Sequence, residues 1–149
     1  MSYQNCVDAL ELTLEAVTGL DANIVSQNNH TILGRGGSVF VVLVPNSFEQ
    51  ARRTFGVDFE RTWAVDIELY SRFHGQLPGE AMEHLSALRE RIVGTVAAKP
   101  RLGTANIFDT QILSGSKPEE VFTPDGRGPL FLTQVLRCEI IEGATVAQI

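Results

Sequence analysis

Long apolar runs are missing from this chain of 149 residues, and none of its uncharged stretches nears the roughly 20 residues needed to span a bilayer. The opening MSYQNCVDALEL has no basic segment followed by an apolar one, so no secretory signal is read there. A membrane is not expected as a partner, and the chain reads as made and used in the cytoplasm, or in something assembled there. Cysteine is scarce: Cys6 and Cys138 stand far apart, in no metal-ligand spacing, and read as two free thiols. Positive charge is also short. Twelve Lys and Arg against 18 Asp and Glu give a formal net charge of −6, which argues against a dedicated nucleic-acid binder. An acidic surface does suit a protein past which DNA slides, because it repels phosphate.

Catalytic patterns are equally thin. The only histidines are His30, His74 and His84, and there is no HExxH and no GxSxG. Glu80 and His84, four apart, could share a metal, but no third ligand accompanies them, and an acidic helix start beside a surface imidazole is the commoner case. GRGG at Gly34–Gly37 precedes a strand, whereas phosphate loops follow one, so it reads as a turn. Cys6 near a helix start invites a lowered pKa, but no partner for it is visible, and a packed thiol is the plainer reading. Asp66 and Glu68 fall on one side of a strand, about 7 Å apart by strand geometry. Paired carboxylates can do acid–base chemistry, although acids on the wet side of a strand are far commoner. No cofactor or metal is expected, and the chain does not read as an enzyme.

What is present is a folded-domain pattern, 44% hydrophobic and 20% charged, at a length that suits one core. Val7, Leu10, Leu14 and Val17 predict a helix over 5–18, with Asn5 as its cap and Gly19 as its stop. Val39–Val44 reads as a buried strand ended by Pro45 and Asn46, and Ser47–Asp58 as a loop with a helical turn near Glu49–Arg53. Thr62–Phe73 alternates cleanly: Trp63, Val65, Ile67, Leu69 and Phe73 face a core, while Asp66, Glu68, Tyr70 and Arg72 face water or a neighbouring subunit. A second helix is predicted over 80–98, with Met82, Leu85, Leu88, Ile92 and Val96 on its apolar side and Pro100 as its stop. Strands follow at Thr104–Leu113 and Leu130–Ile141. Between them, 114–128 reads as a long mobile hairpin loop. The fold class expected is α+β: a two-layer sandwich of a mostly antiparallel sheet, four to five strands, with two helices on one face, in a single domain over 1–149.

With those elements in order, the chain resembles the small tail-terminator (tail-completion) proteins of long-tailed bacteriophages. The strand RTWAVDIELYSRF, the helix HLSALRERIVGTV followed by KPRLG, and the strands around the long loop ending LTQVLRCEIIEG carry the resemblance. It implies a structural virion protein that assembles as a hexameric ring, caps the tail tube, stops its polymerisation and offers the head connector a docking surface. DNA would pass through the lumen without being read, and the protein would sit at the head-proximal end of the tail after assembly in the bacterial host. On that view Asp66, Glu68 and Tyr70 line a subunit interface or an acidic lumen. Lys117, Phe122 and Arg127 contact the tube from the 114–128 loop, and Arg52 and Arg53 suit pairing with a neighbour's carboxylates. Gly143–Ile149 is either a free end or a bridging strand. Another head–tail joining protein is the near alternative. A small dimeric α/β hydrolase built on Asp66, Glu68 and His84 is the distant one.

Overall fold

The computed structural model describes residues 3–17, 20, 24–34, 38–52, 58–73, 78–104, 106–122 and 129–145. Two helices, α1 (Tyr3–Glu15) and α2 (Pro78–Ala98), pack against one face of a six-stranded sheet. The strands are β1 (Val25–Gln27), β2 (Val39–Arg52), β3 (Asp58–Arg72), β4 (Ile107–Gly115), β5 (Glu119–Phe122) and β6 (Pro129–Thr145). Spatially they run β1-β2-β3-β6-β4, with β5 also on β6. Among the described residues only β1–β2 is parallel, and the other pairings are antiparallel. The α+β layering expected from the sequence is the architecture found.

The amphipathic periods explain the layers. On α1, Cys6, Val7, Leu10 and Leu14 are buried, with Val17 buried just past its end; on α2, Ala81, Leu85, Leu88, Ile92 and Val96 are. Both stripes close over Val65, Ile67 and Leu69 of β3 and Leu136, Cys138 and Ile140 of β6. Each fully buried aliphatic side chain here contributes about 1.5–3 kcal/mol. Met82 was expected in the α2 stripe but is 41% exposed, and Ala81 takes the inside position because it keeps the four–three–four spacing with Leu85, Leu88 and Ile92. Helix α1 begins at Tyr3, so Asn5 lies within its first turn rather than capping it. The helix is tied to β1 by Gln4, whose Nε2 reaches Asp8 and Gln27 at 2.8 and 2.7 Å.

Two segments depart from expectation. Pro45 and Asn46 do not end β2, which runs on to Arg52, so the loop expected over Ser47–Asp58, with its helical turn near Glu49–Arg53, is strand as far as Arg52 and strand again at Asp58, while 53–57 lie outside the described residues. Pro45 is tolerated because β1 covers only Val41–Leu43, so among the described residues no partner strand needs its missing N–H, and a bulge between Pro45 and Ser47 resets the register against β3. The expected hairpin loop over 114–128 likewise holds a strand: β5 pairs with Pro129–Thr133 of β6. Because β3 fills the other side of β6, β4 and β5 follow one another along the same edge. Ser116 joins them: its N–H donates to Val135 O at 2.8 Å, and Val135 N–H donates to its Oγ at 2.9 Å.

Candidate functional site

The helix-free face of β3 is where the sequence placed its candidate interface. Strand alternation does aim Asp66, Glu68, Tyr70 and Arg72 away from the helices, but that face is not a plain wet surface. Phe40, Val42, Tyr70 and Phe131 form a second buried cluster there, with Tyr70 only 9% exposed. The Tyr70 and Phe131 rings meet edge-on at 5.8 Å. The Arg72 guanidinium stacks over both phenylalanine rings, 5.3 Å from Phe40 and 4.8 Å from Phe131, and donates to Leu33 O in the short 3-10 turn His30–Gly34. That turn brings His30 onto the same patch, with Nε2 2.7 Å from Glu68 Oε1 and its ring edge-on to Tyr70.

The two carboxylates are separately engaged. Glu68 accepts the Tyr70 hydroxyl at 2.9 Å and pairs with His30. Asp66 accepts Asn46 Nδ2 at 3.0 Å and lies 3.5 Å from Arg137 Nε, its register partner on β6. Burial and the adjacent Glu68 carboxylate push the Tyr70 phenol well above its ordinary value, so it stays neutral and donates. Acids held by different partners form an ordered, polar-rimmed aromatic patch rather than an acid–base pair. His84 is exposed on α2, across the sheet from Asp66 and Glu68, so the hydrolase constellation of the three is not assembled. Glu80 is exposed on the same helix, and among the described residues no group of three His, Cys, Asp or Glu is placed to hold a metal.

The remaining candidates lie elsewhere. Lys117 is exposed in the link between β4 and β5, and Phe122 ends β5, both on the outer edge of the sheet. Arg52 ends β2; Arg53 and Arg127 lie outside the described residues, as do 146–149 of the C-terminal segment.

A polar cluster that the sequence reading missed sits under the helices. Glu142, fully buried, accepts the Trp63 indole N–H at 2.8 Å, contacts Cys6 Sγ at 3.4 Å and lies 3.8 Å from Arg61 Nη1. The signal was present: two-residue alternation from Leu136 through Cys138 and Ile140 lands on Glu142, but the strand was expected to end at Ile141. Burial, reinforced by the Glu142 carboxylate, pushes the Cys6 thiol up to about 12, the opposite of an activated nucleophile. Burial does the same for Cys138, also to about 12.

No protein-family model matches the chain, and no curated protein matches it. A solved structure does resemble it: the sheath/tube terminator of an extracellular contractile injection system (PVC), in the extended state. The match has a TM-score of 0.57 at 10% sequence identity, covering 98% of this chain and 57% of that one, so the chain spans a little over half the length of its neighbour. At that identity the likeness is one of fold, and the fold is terminator-like.

Proposed function

We propose that this chain is a structural subunit that caps the tube of a phage tail or tail-like particle. It acts as a homo-oligomeric ring, a hexamer, that stops tube polymerisation and presents a docking surface to the head connector. The observation that carries this is the terminator-like fold across nearly the whole chain, which agrees with the sequence resemblance to phage tail terminators. The separately paired Asp66 and Glu68 support a structural use of the sheet face over a catalytic one. The acidic net charge of −6 suits a lumen through which DNA passes without being read. Its place would be the head-proximal end of the tail, after assembly in the host cell.

Inactivating the gene in its parent particle tests the role. Abnormally long tubes support a terminator. Normal tails beside unattached heads point to a head–tail joining protein instead, and unchanged particles overturn both. Light scattering of the purified chain should show a mass near six subunits, or a monomer passing to that mass with concentration.

A further inference from the structure

The outer sides of the two helices carry opposite charge. On α1, the buried stripe of Val7, Leu10 and Leu14 leaves Asp8, Glu11, Leu12 and Glu15 on the opposite side, turned away from the sheet. No Lys or Arg precedes Arg35 in the chain, so this side of α1 is acidic throughout. Gln27 of β1 donates from Nε2 to Asp8 at 2.8 Å and to Glu11, and Gln4 donates to Asp8 as well. These partners are neutral and hold the Asp8 carboxyl below its ordinary value, so the charge is positioned and not cancelled. Among the acids stands Leu12, 68% exposed, the most exposed large apolar side chain of the described residues.

The second half of α2 is the reverse. From Arg89 to Arg101 the chain holds Arg89, Arg91, Lys99 and Arg101 against Glu90 alone. Glu90 lies 3.6 Å from Arg89, while Arg91, Lys99 and Arg101 stand exposed with no ion pair among the described residues. Beside them, where the end of α1 approaches α2, is a hollow of about 460 Å³ lined by Ala16, Arg91, Gly94, Thr95, Ala98 and Lys99. It is open over Gly94, where a Cβ would meet nothing within 4 Å. The two charged stretches also match in length. At a helical rise of 1.5 Å per residue, Asp8 to Glu15 spans about 10 Å and Arg91 to Lys99 about 12 Å.

We infer that the acidic side of α1 in one copy docks on the basic second half of α2 in another, with Leu12 seated in the hollow over Gly94. The occupant is a second copy because the chain supplies both halves of the match, three acids unopposed on one helix and three cations in excess on the other. Opposite charge steers the two faces together and fixes their register, and Leu12 gives the contact an apolar centre. Both faces belong to the helix layer and point the same way. Two copies therefore meet layer to layer about a two-fold axis and make the contact twice. The pair leaves the strand edges and the helix-free face uncovered, and it does not rest on the ring reading.

Two charge reversals of the full chain test this by light scattering over a concentration series, read as a doubling of mass. Asp8→Lys with Glu15→Lys makes both faces basic, and Arg91→Glu with Lys99→Glu makes both acidic. Each should raise the concentration for half-association at least about tenfold, with circular dichroism unchanged. An equimolar mixture of the two should regain the pairing, because each then offers the face that the other lacks. A mixture that associates no better than its components overturns the contact. Cysteine trapping reads the contact directly, since Cys6 and Cys138 are buried while Leu12 and Gly94 are exposed. Leu12→Cys mixed with Gly94→Cys should give a disulfide-linked pair of chains under mild oxidation, and either variant alone far less. No linked pair in the mixture, or as much from one variant alone, overturns it too. Failure of either test removes the pair and leaves the ring reading as it stands.

Discussion

Trp63 and Glu142 stand on neighbouring strands two residues apart in register, and the indole N–H of the first donates to the carboxylate of the second at 2.8 Å beneath the helices. The carboxylate has no exposure to water, and Arg61 at 3.8 Å and the Cys6 thiol stand against it as well. Removing one partner of a buried charged pair leaves the rest uncompensated. Glu142→Ala should therefore lower unfolding stability by about 3–5 kcal/mol in urea titrations. Glu142→Gln, which still accepts from Trp63, should cost markedly less. Equal losses for the two would mean that packing, not charge and hydrogen bonding, holds this end of the sheet.

Gly143, the next residue, has no room for a side chain: a Cβ there would lie 2.2 Å from the Phe108 ring tip. Phe108 is 40% exposed and can swing away, so Gly143→Ala should cost about 1 kcal/mol rather than unfold the chain. Phe108→Ala should absorb most of that cost in the double variant, because the two changes share one contact. Strictly additive losses would show that the backbone, not the ring, is what alanine disturbs.

Alkaline stability follows from the two thiols. Cys6 and Cys138 are both pushed from an ordinary 9.0 to about 12 by burial. A raised folded-state value means the neutral thiol is favoured in the native state. Their contribution is then fully present below pH 9 and is lost as pH climbs toward 12. Tm should be insensitive to these groups up to about pH 9 and fall beyond it. The double variant Cys6→Ala, Cys138→Ala should be less stable at neutral pH yet lose less of its Tm between those limits. An unchanged slope would assign alkaline unfolding to other groups.

On the helix-free face, Asp66–Arg137 is a half-exposed pair at 3.5 Å, and such pairs contribute about 0–1 kcal/mol. Asp66→Asn should move stability by less than that. Tyr70→Phe, which removes the 2.9 Å bond to Glu68 while keeping the ring against Phe131, should cost about 0.5–1.5 kcal/mol. A much larger loss would mean that the His30–Glu68–Tyr70 network, rather than the aromatic packing, fastens the His30–Gly34 turn to the sheet.

Much of this protein was legible in its residues. The period of α1, the four–three–four spacing of α2 and the alternation of β3 each fix which side meets the core, because helix and strand geometry turn sequence spacing directly into direction. From these came two helices on one face of a mainly antiparallel sheet, and the outward placement of Asp66, Glu68, Tyr70 and Arg72. What only the tertiary structure decided depends on partners distant in the chain. Pro45 sits inside a strand because β1 happens to stop at Leu43. Glu119–Phe122 form a strand because β6 runs long enough to offer them an edge. Asp66 meets Arg137, Glu68 meets His30, and Glu142 meets Trp63 and Cys6 across 38 to 136 residues of sequence. Local propensity carries no term for such meetings. They are set by strand register and layer closure, which exist only once the chain has folded.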